Sequence, residues 1–302
     1  MKRVKILKSR AFNSISDKTN FFINFMFLIY MFICVIPFIV VISTSITEET
    51  TLLAKGYSII PNKLSFYAYT FIFKGPGILM NAYGITLFVT VIGTVLGVLF
   101  TCLYAYPLSR TDFPFKKFFS IFLFATMIIN GGIVPFYLLY TQLLHLSNTV
   151  WALILPYCVN PFFIIITKTF FRMTIPDSVI ESALIDGIGE LRMLFKIILP
   201  LSLPVIGTIA LFCTLMYWND WWLSLMFITN SKIISLQYLL YKMISNLQFA
   251  VANIGTHKSS ILPPRESLRM AMLILSIGPV VLAYPFLQKY FVKGLVIGAV
   301  KG

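Results

Sequence analysis

Acidic side chains are scarce in this sequence: ten Asp and Glu stand against 24 Lys and Arg, and charged residues make up only 11% of 302 positions. So little polar surface excludes a water-soluble globule. Histidine occurs only at His145 and His257, and there is no His-Glu-x-x-His pattern, so a catalytic or structural metal site lacks ligands and an intramembrane metalloprotease finds no support. The serines and cysteines have no evident base partner, which argues against a lipid-modifying transferase. Cys34, Cys102, Cys158 and Cys213 all fall inside apolar runs on different expected helices, as small buried hydrophobes do, rather than as disulfide partners. A Gly-x-x-x-x-Gly-Lys-[Ser/Thr] phosphate loop is also missing, so any ATP hydrolysis belongs to another chain, and no cofactor is expected.

What the chain has is apolar length. Hydrophobic residues account for 59% of it, and the mean hydropathy is +0.90. A membrane-spanning helix takes roughly 20 apolar residues, and six stretches supply them, at about 21–43, 83–108, 118–142, 149–171, 203–229 and 270–291. The expected fold class is therefore an all-α integral membrane protein with six transmembrane helices. The run from Phe21 to Ile42 is too long for a signal peptide, and no small-residue cleavage site follows it closely, so it reads as an uncleaved first helix. Six crossings put both ends on one side. With that side cytoplasmic, the tail 1–20, the links after the second and fourth helices and the tail 292–302, together with Lys168 and Lys289 at the adjoining helix ends, carry 16 of the 24 cations. The other eight lie in the long extracellular loops 44–82 and 230–269, where charge has little influence on topology. Cations scattered between apolar runs do not form the soluble basic face of a nucleic-acid binder, so membrane lipid is an expected partner and nucleic acid is not.

Several spans carry irregularities that suit a pathway. Gly93 and Gly97, beside Thr90 and Thr94, form a small-residue face that admits a neighbouring helix. Asn130-Gly131-Gly132 before Pro135 breaks the third span, and Pro156, Asn160 and Pro161 break the fourth, freeing backbone groups that lipid cannot satisfy. In the fifth, Tyr217-Trp218-Asn219-Asp220-Trp221-Trp222 places the only acid inside an expected crossing, and such a group points to function. Aromatic faces beside Asn and Asp suit a sugar, whose C–H faces stack while its hydroxyls need partners. Asn219, Asp220, Trp221, Trp222 and Asn130 are therefore the candidate substrate contacts, against the alternatives of an interfacial aromatic belt and an Asp220 paired to a neighbouring helix.

The segment 172–202 concentrates charge. Pro176 and Asp177 open a short helix, about 176–186, because proline suits a first turn and an acid meets its positive end, and Gly187 caps it. A second helix is expected from Gly189 to Leu199, before Pro200. Ile180, Ala183 and Leu184 share one face of the first helix, and Asp177 and Glu181 another. A helix lying on anionic lipid favours basic residues; this acidic helix–glycine–helix build fits better as a knob entering a partner's groove.

Glu181-Ser182-Ala183, Asp186-Gly187 and Ile198-Leu199-Pro200 resemble the EAA motif of permeases from bacterial ATP-binding-cassette importers, departing from it by Ser182 for alanine and by the order before Pro200. Tyr290-Phe291-Val292-Lys293-Gly294 and Gly298-Ala299-Val300-Lys301-Gly302 are similar to the end of the maltose-transporter-like permeases of the carbohydrate subfamily, in its branch for oligosaccharides and polysaccharide-derived sugars of Gram-positive bacteria. The resemblance covers roughly 80–302 and implies a plasma-membrane permease subunit that is not itself an enzyme. It implies four further kinds of partner beside lipid: a second homologous permease subunit, two ATPase subunits, an extracellular lipid-anchored sugar-binding protein and an oligosaccharide substrate. The loop then acts as a coupling helix pair. By that resemblance Glu181 pairs with a basic ATPase group, Ala183 permits close approach, Gly187 sets the bend, Ser182, Asp186 and Pro200 belong to the same ATPase-coupling set, and Lys301 and Gly302 reach the ATPase interface. A non-sugar importer and an ion-coupled carrier titrating Asp220 are the competing readings; the second has no use for the acidic loop.

Overall fold

In a computed structural model of the chain, residues 16–74, 77–129, 131–252 and 265–281 are described. Among them every regular element is helical, and the single extended pairing is the isolated bridge Thr47 to Leu64. They fall into two compact units. One comprises the described residues up to Thr70 with those from Arg265 to Ile274; the other comprises those from Phe71 and from Leu275 onward.

The first unit contains α1 (Asp17–Ser45), a 29-residue helix that is apolar all round, with Pro37 inside it and Cys34 exposed on its surface. Exposure of Cys34 departs from the expectation of a buried thiol; Cys102, Cys158 and Cys213 are buried. Within the expected loop 44–82, two short helices form, α2 (Glu49–Lys55) and α3 (Tyr67–Phe73). Glu49 accepts from the amides of Glu266 (2.9 Å) and Ser267 (3.0 Å) and from the Ser267 hydroxyl (2.7 Å), which caps a helix spanning 266–281 from a distant part of the chain. Burial alone would raise the Glu49 pKa, but the donors from Ser267, Glu266 and Arg265 outweigh it and hold the carboxyl below its ordinary value.

The second unit is organised around α4 (Ile78–Ser109). This helix begins five residues before the expected start because Ile78, Leu79 and Met80 extend the apolar run. Its small-residue face does what the spacing predicts: a Cβ at Gly93 would stand 2.5 Å from Tyr217 Cζ, and one at Gly97 would lie 3.3 Å from Cys213 Sγ. Against it packs α12 (Leu203–Trp218), reached after α5 (Lys116–Ile128), α6 (Ile133–Leu138), α7 (Trp151–Ile154), α8 (Pro161–Thr174), α9 (Asp177–Ile185), α10 (Glu190–Met193) and the short α11 (Leu199–Leu201). The unit closes with α13 (Trp222–Phe227) and α14 (Leu236–Ala252).

Of the six expected spans, α1 and α4 are each long and apolar enough to cross a membrane as single helices. The third is interrupted between α5 and α6, around Asn130, which lies outside the described residues. A 49° bend interrupts the fourth between Tyr157 and Pro161, where the Asn160 side chain caps α8 by accepting from Phe162 N (3.0 Å) and Phe163 N (3.4 Å). The fifth was expected as one helix over 203–229 and is instead two, α12 and α13, because Asn219 ends one and Asp220 starts the next. The sixth, expected at 270–291, is described as far as residue 281, and the tail with Lys301 and Gly302 lies outside the described residues. The expected loop 230–269 holds the 17-residue α14, buried through Leu236 and Leu240. Reading apolar length alone passes over such an amphipathic helix.

Candidate functional site

The segment 172–202 folds as two helices on a glycine hinge. Gly187 has φ +73°, its amide donates to Leu184 O (3.0 Å), and the Ile188 amide donates to Ala183 O (3.0 Å). This pair of bonds is a Schellman ending, which needs the left-handed residue that glycine supplies without a Cβ penalty. Ala183 is buried at 4% exposure with Ile180 half-buried beside it, while Leu184 is turned outward. Glu181, Ser182 and Asp186 stand exposed, and the Ser182 hydroxyl donates to Ser178 O (2.8 Å). Outward-facing Ile185 (87% exposed) and Leu191 (67%) give the knob an apolar flank beside its acids.

The second arm differs from the expected helix ending at Leu199. It continues from α10 through a π-turn at Leu194–Ile198 into α11, and Pro200 lies inside the helix. The widened turn relieves the crowding a proline ring imposes on the preceding turn, so the arm stops at Ser202 instead.

At the break in the fifth span, Tyr157 donates its hydroxyl to Asp220 Oδ1 (2.9 Å), and Asp220 Oδ2 accepts from the Leu223 amide (3.2 Å), capping α13. The Asp220 carbonyl accepts from the Ser235 hydroxyl (3.2 Å). Both carboxylate oxygens are thus bonded within the chain. Trp222 is half-buried and stacks on Phe136 at 5.6 Å. Asn219 and Trp221 face outward; Asn219 Nδ2 donates to Leu215 O (2.8 Å), and Trp221 stacks on Tyr241 with centroids 4.9 Å apart. Tyr241 is followed by Tyr238, 6.4 Å away and tilted by 22°. This ladder of rings, exposed at Trp221 and Tyr241 and half-buried at Tyr238, adds Tyr238 and Tyr241 to the residues named from sequence. Their spacing of three on one helix was the available signal.

An apolar chain, helical throughout its described residues, with broken spans, a partly exposed aromatic ladder and an acidic two-helix loop, has the parts of a membrane permease. No family model matches it. It is 38% identical over 278 residues to the polygalacturonan/rhamnogalacturonan transport system permease protein YtcP of Bacillus subtilis, covering 91% of this chain and 95% of that one. It is 37% identical over 270 residues to Protein LplC of the same organism (89% and 90%) and 29% identical over 271 residues to its melibiose/raffinose/stachyose import permease protein MelC (88% and 91%). Among solved structures it resembles a chain of a bacterial ABC transporter involved in the import of the acidic polysaccharide alginate, with a TM-score of 0.78, 29% identity and coverage of 93% of this chain and 99% of that one. The chain belongs to the permease family of ATP-binding-cassette sugar importers.

Proposed function

We propose that this permease carries an oligosaccharide into the cell by alternating access, in a plasma membrane it crosses six times with both termini cytoplasmic. It works with a second homologous permease, two ATPase subunits and a lipid-anchored sugar-binding protein outside. The relatives named for polygalacturonan, raffinose-type sugars and alginate favour a complex carbohydrate over a smaller solute. Loop 172–202 is the cytoplasmic knob on which an ATPase docks, and the tail with Lys301 and Gly302 reaches the ATPase dimer. The carrying observation is the exposure of Glu181 on α9 while Ala183, two residues on, is buried. An acid presented outward by a helix whose other face is fastened to the protein is arranged to meet a basic groove.

Sugar contact is assigned to the outward face at the break in the fifth span, with Trp221 stacking and Asn219 hydrogen-bonding; Asp220 and Trp222 hold that face in place, and Asn130 belongs to the same pathway. Glu181→Lys tests the docking role in the assembled importer in vesicles. The permease should reach the membrane in normal amount, while its copurified ATPase and its sugar-stimulated ATP turnover fall at least about tenfold, because the substitution replaces a charge-assisted pair with repulsion. Normal stimulated turnover in this variant would refute the docking role.

A further inference from the structure

The loop 172–202 meets α4 through a clamp of four side chains. On α4 and the residue after it, Tyr106 and Arg110 are four apart and share a face; on α10, Glu190 and Met193 are three apart and share another. The Tyr106 hydroxyl donates to Glu190 Oε2 and lies 3.2 Å from Met193 Sδ. Arg110 Nη2 stands 3.8 Å from Glu190 Oε1, and Arg110 Nη1 lies 3.8 Å from Met193 Sδ. Met193 is completely buried. Arg110 is 8% exposed and held in place by Asp112, which accepts from Nε (2.8 Å) and Nη2 (2.6 Å) in a two-pronged pair, while Lys116 Nζ donates to the Arg110 carbonyl (2.6 Å). The bidentate pair raises the pKa of Arg110 and lowers that of Asp112.

A buried guanidinium is costly unless fixed and paired, and on the loop this one meets Glu190 and Met193 of α10. The clamp also continues inward. Tyr106 belongs to the same helix as Gly93, on which the Tyr217 ring rests, and Tyr217 is the last residue but one of α12, two residues before Asn219. By contrast, the path along the chain from α10 to α12 turns through 87°, with the break at Ser202.

We infer that Tyr106, Arg110, Glu190 and Met193 form a positioning clamp through which movement of the loop 172–202 enters α4, and that α4, rather than the continuous chain through Ser202, passes it to the sugar-facing end of α12. This inference rests on the coupling role proposed above for the loop. None of the four touches sugar or ATP; they hold α10 and α4 as one body.

The test uses the whole importer, reconstituted in vesicles, with uptake of a sugar that stimulates the wild type and ATP hydrolysis measured on the same samples. Tyr106→Phe removes only the hydroxyl. Sugar moved per ATP hydrolysed should fall about tenfold, with the complex recovered in wild-type amount and ATP turnover persisting. Glu190→Ala should do the same, whereas Glu190→Gln, which still offers an oxygen to Tyr106, should restore most of the ratio. Ser202→Gly, which loosens the chain-continuous route, should leave the ratio unchanged. A purely structural clamp would lower recovery, uptake and turnover together and leave the ratio alone, and that result overturns the inference. So does loss of the ratio in Ser202→Gly with retention in Tyr106→Phe. If the wild-type complex itself shows no sugar-dependent ATP turnover, the importer reading fails and the clamp falls with it; coupled wild type with equally coupled variants removes the clamp alone.

Discussion

A carboxylate within an apolar span needs donors for both oxygens, and Asp220 finds them in the Tyr157 hydroxyl and the Leu223 amide. The sequence marks Asp220 as the one acid in an expected crossing, but spacing does not reveal that Tyr157, 63 residues earlier, reaches it. The same contact separates roles that look alike in the run Asn219 to Trp222. Asp220 is a strut, Trp222 packs on Phe136, and Trp221 offers a ring with 41% of its surface exposed. Trp221→Ala should raise the half-saturating sugar concentration of uptake about fivefold, equivalent to roughly 1 kcal/mol of lost stacking, with little change in melting temperature in detergent. Tyr157→Phe should show the opposite pattern, destabilising the protein by about 1–3 kcal/mol through an unmet carboxylate oxygen. Equal effects of both substitutions on melting would contradict this division.

At the scale of elements, hydropathy locates α1 and α4 to within a few residues because their apolar runs are long and uninterrupted. It passes over the break within 203–229, where polar Asn219 and Asp220 are too few to lower the average hydropathy but are enough to end one helix and cap another. It also passes over α14, whose apolar residues occupy one side only. Gly187 was legible as a hinge because few residues other than glycine ending a short helix adopt φ +73°. The approach of α12 to α4 was legible as a small-residue face, though not which ring would fill it. Gly93→Ala should cost about 1–3 kcal/mol, since its Cβ would fall within the Tyr217 ring contact, while Gly97→Ala should cost less against the Cys213 sulfur. Thermal melting of the two variants in detergent checks the order; the reverse order would mean that Tyr217 yields more easily than its hydroxyl bond to Ile154 O (2.8 Å) implies.

For the whole molecule, the capping of the 266–281 helix by Glu49 ties segments 217 residues apart, with Tyr57 adding a hydroxyl bond to Glu266 (3.0 Å). Because the Glu49 carboxyl titrates below its ordinary value of 4.5, the tie contributes stability above that pH and loses it as the pH falls through the lower folded value. Amide exchange at Glu266 and Ser267 should therefore be slow at neutral pH and accelerate below about pH 4.5, ahead of the amides within α4. Glu49→Gln should accelerate it at neutral pH. Unchanged protection in both conditions would show that Glu49 does not hold this junction.

Composition alone determined that the chain lives in lipid, since a sequence with 11% charge has no other way to satisfy its surface. The spacing of Pro176, Asp177 and Gly187 places a two-helix loop by sequence alone, because capping and hinge chemistry are local. Only the tertiary structure decided which acids are spent inside the protein and which are offered outside it. Asp220, Glu49 and Glu190 meet partners tens to hundreds of residues away, and Glu181 faces outward. Local chemistry depends on neighbours in sequence, which the chain records; the pairing of buried charge depends on neighbours in space, which only the packing of its helices creates.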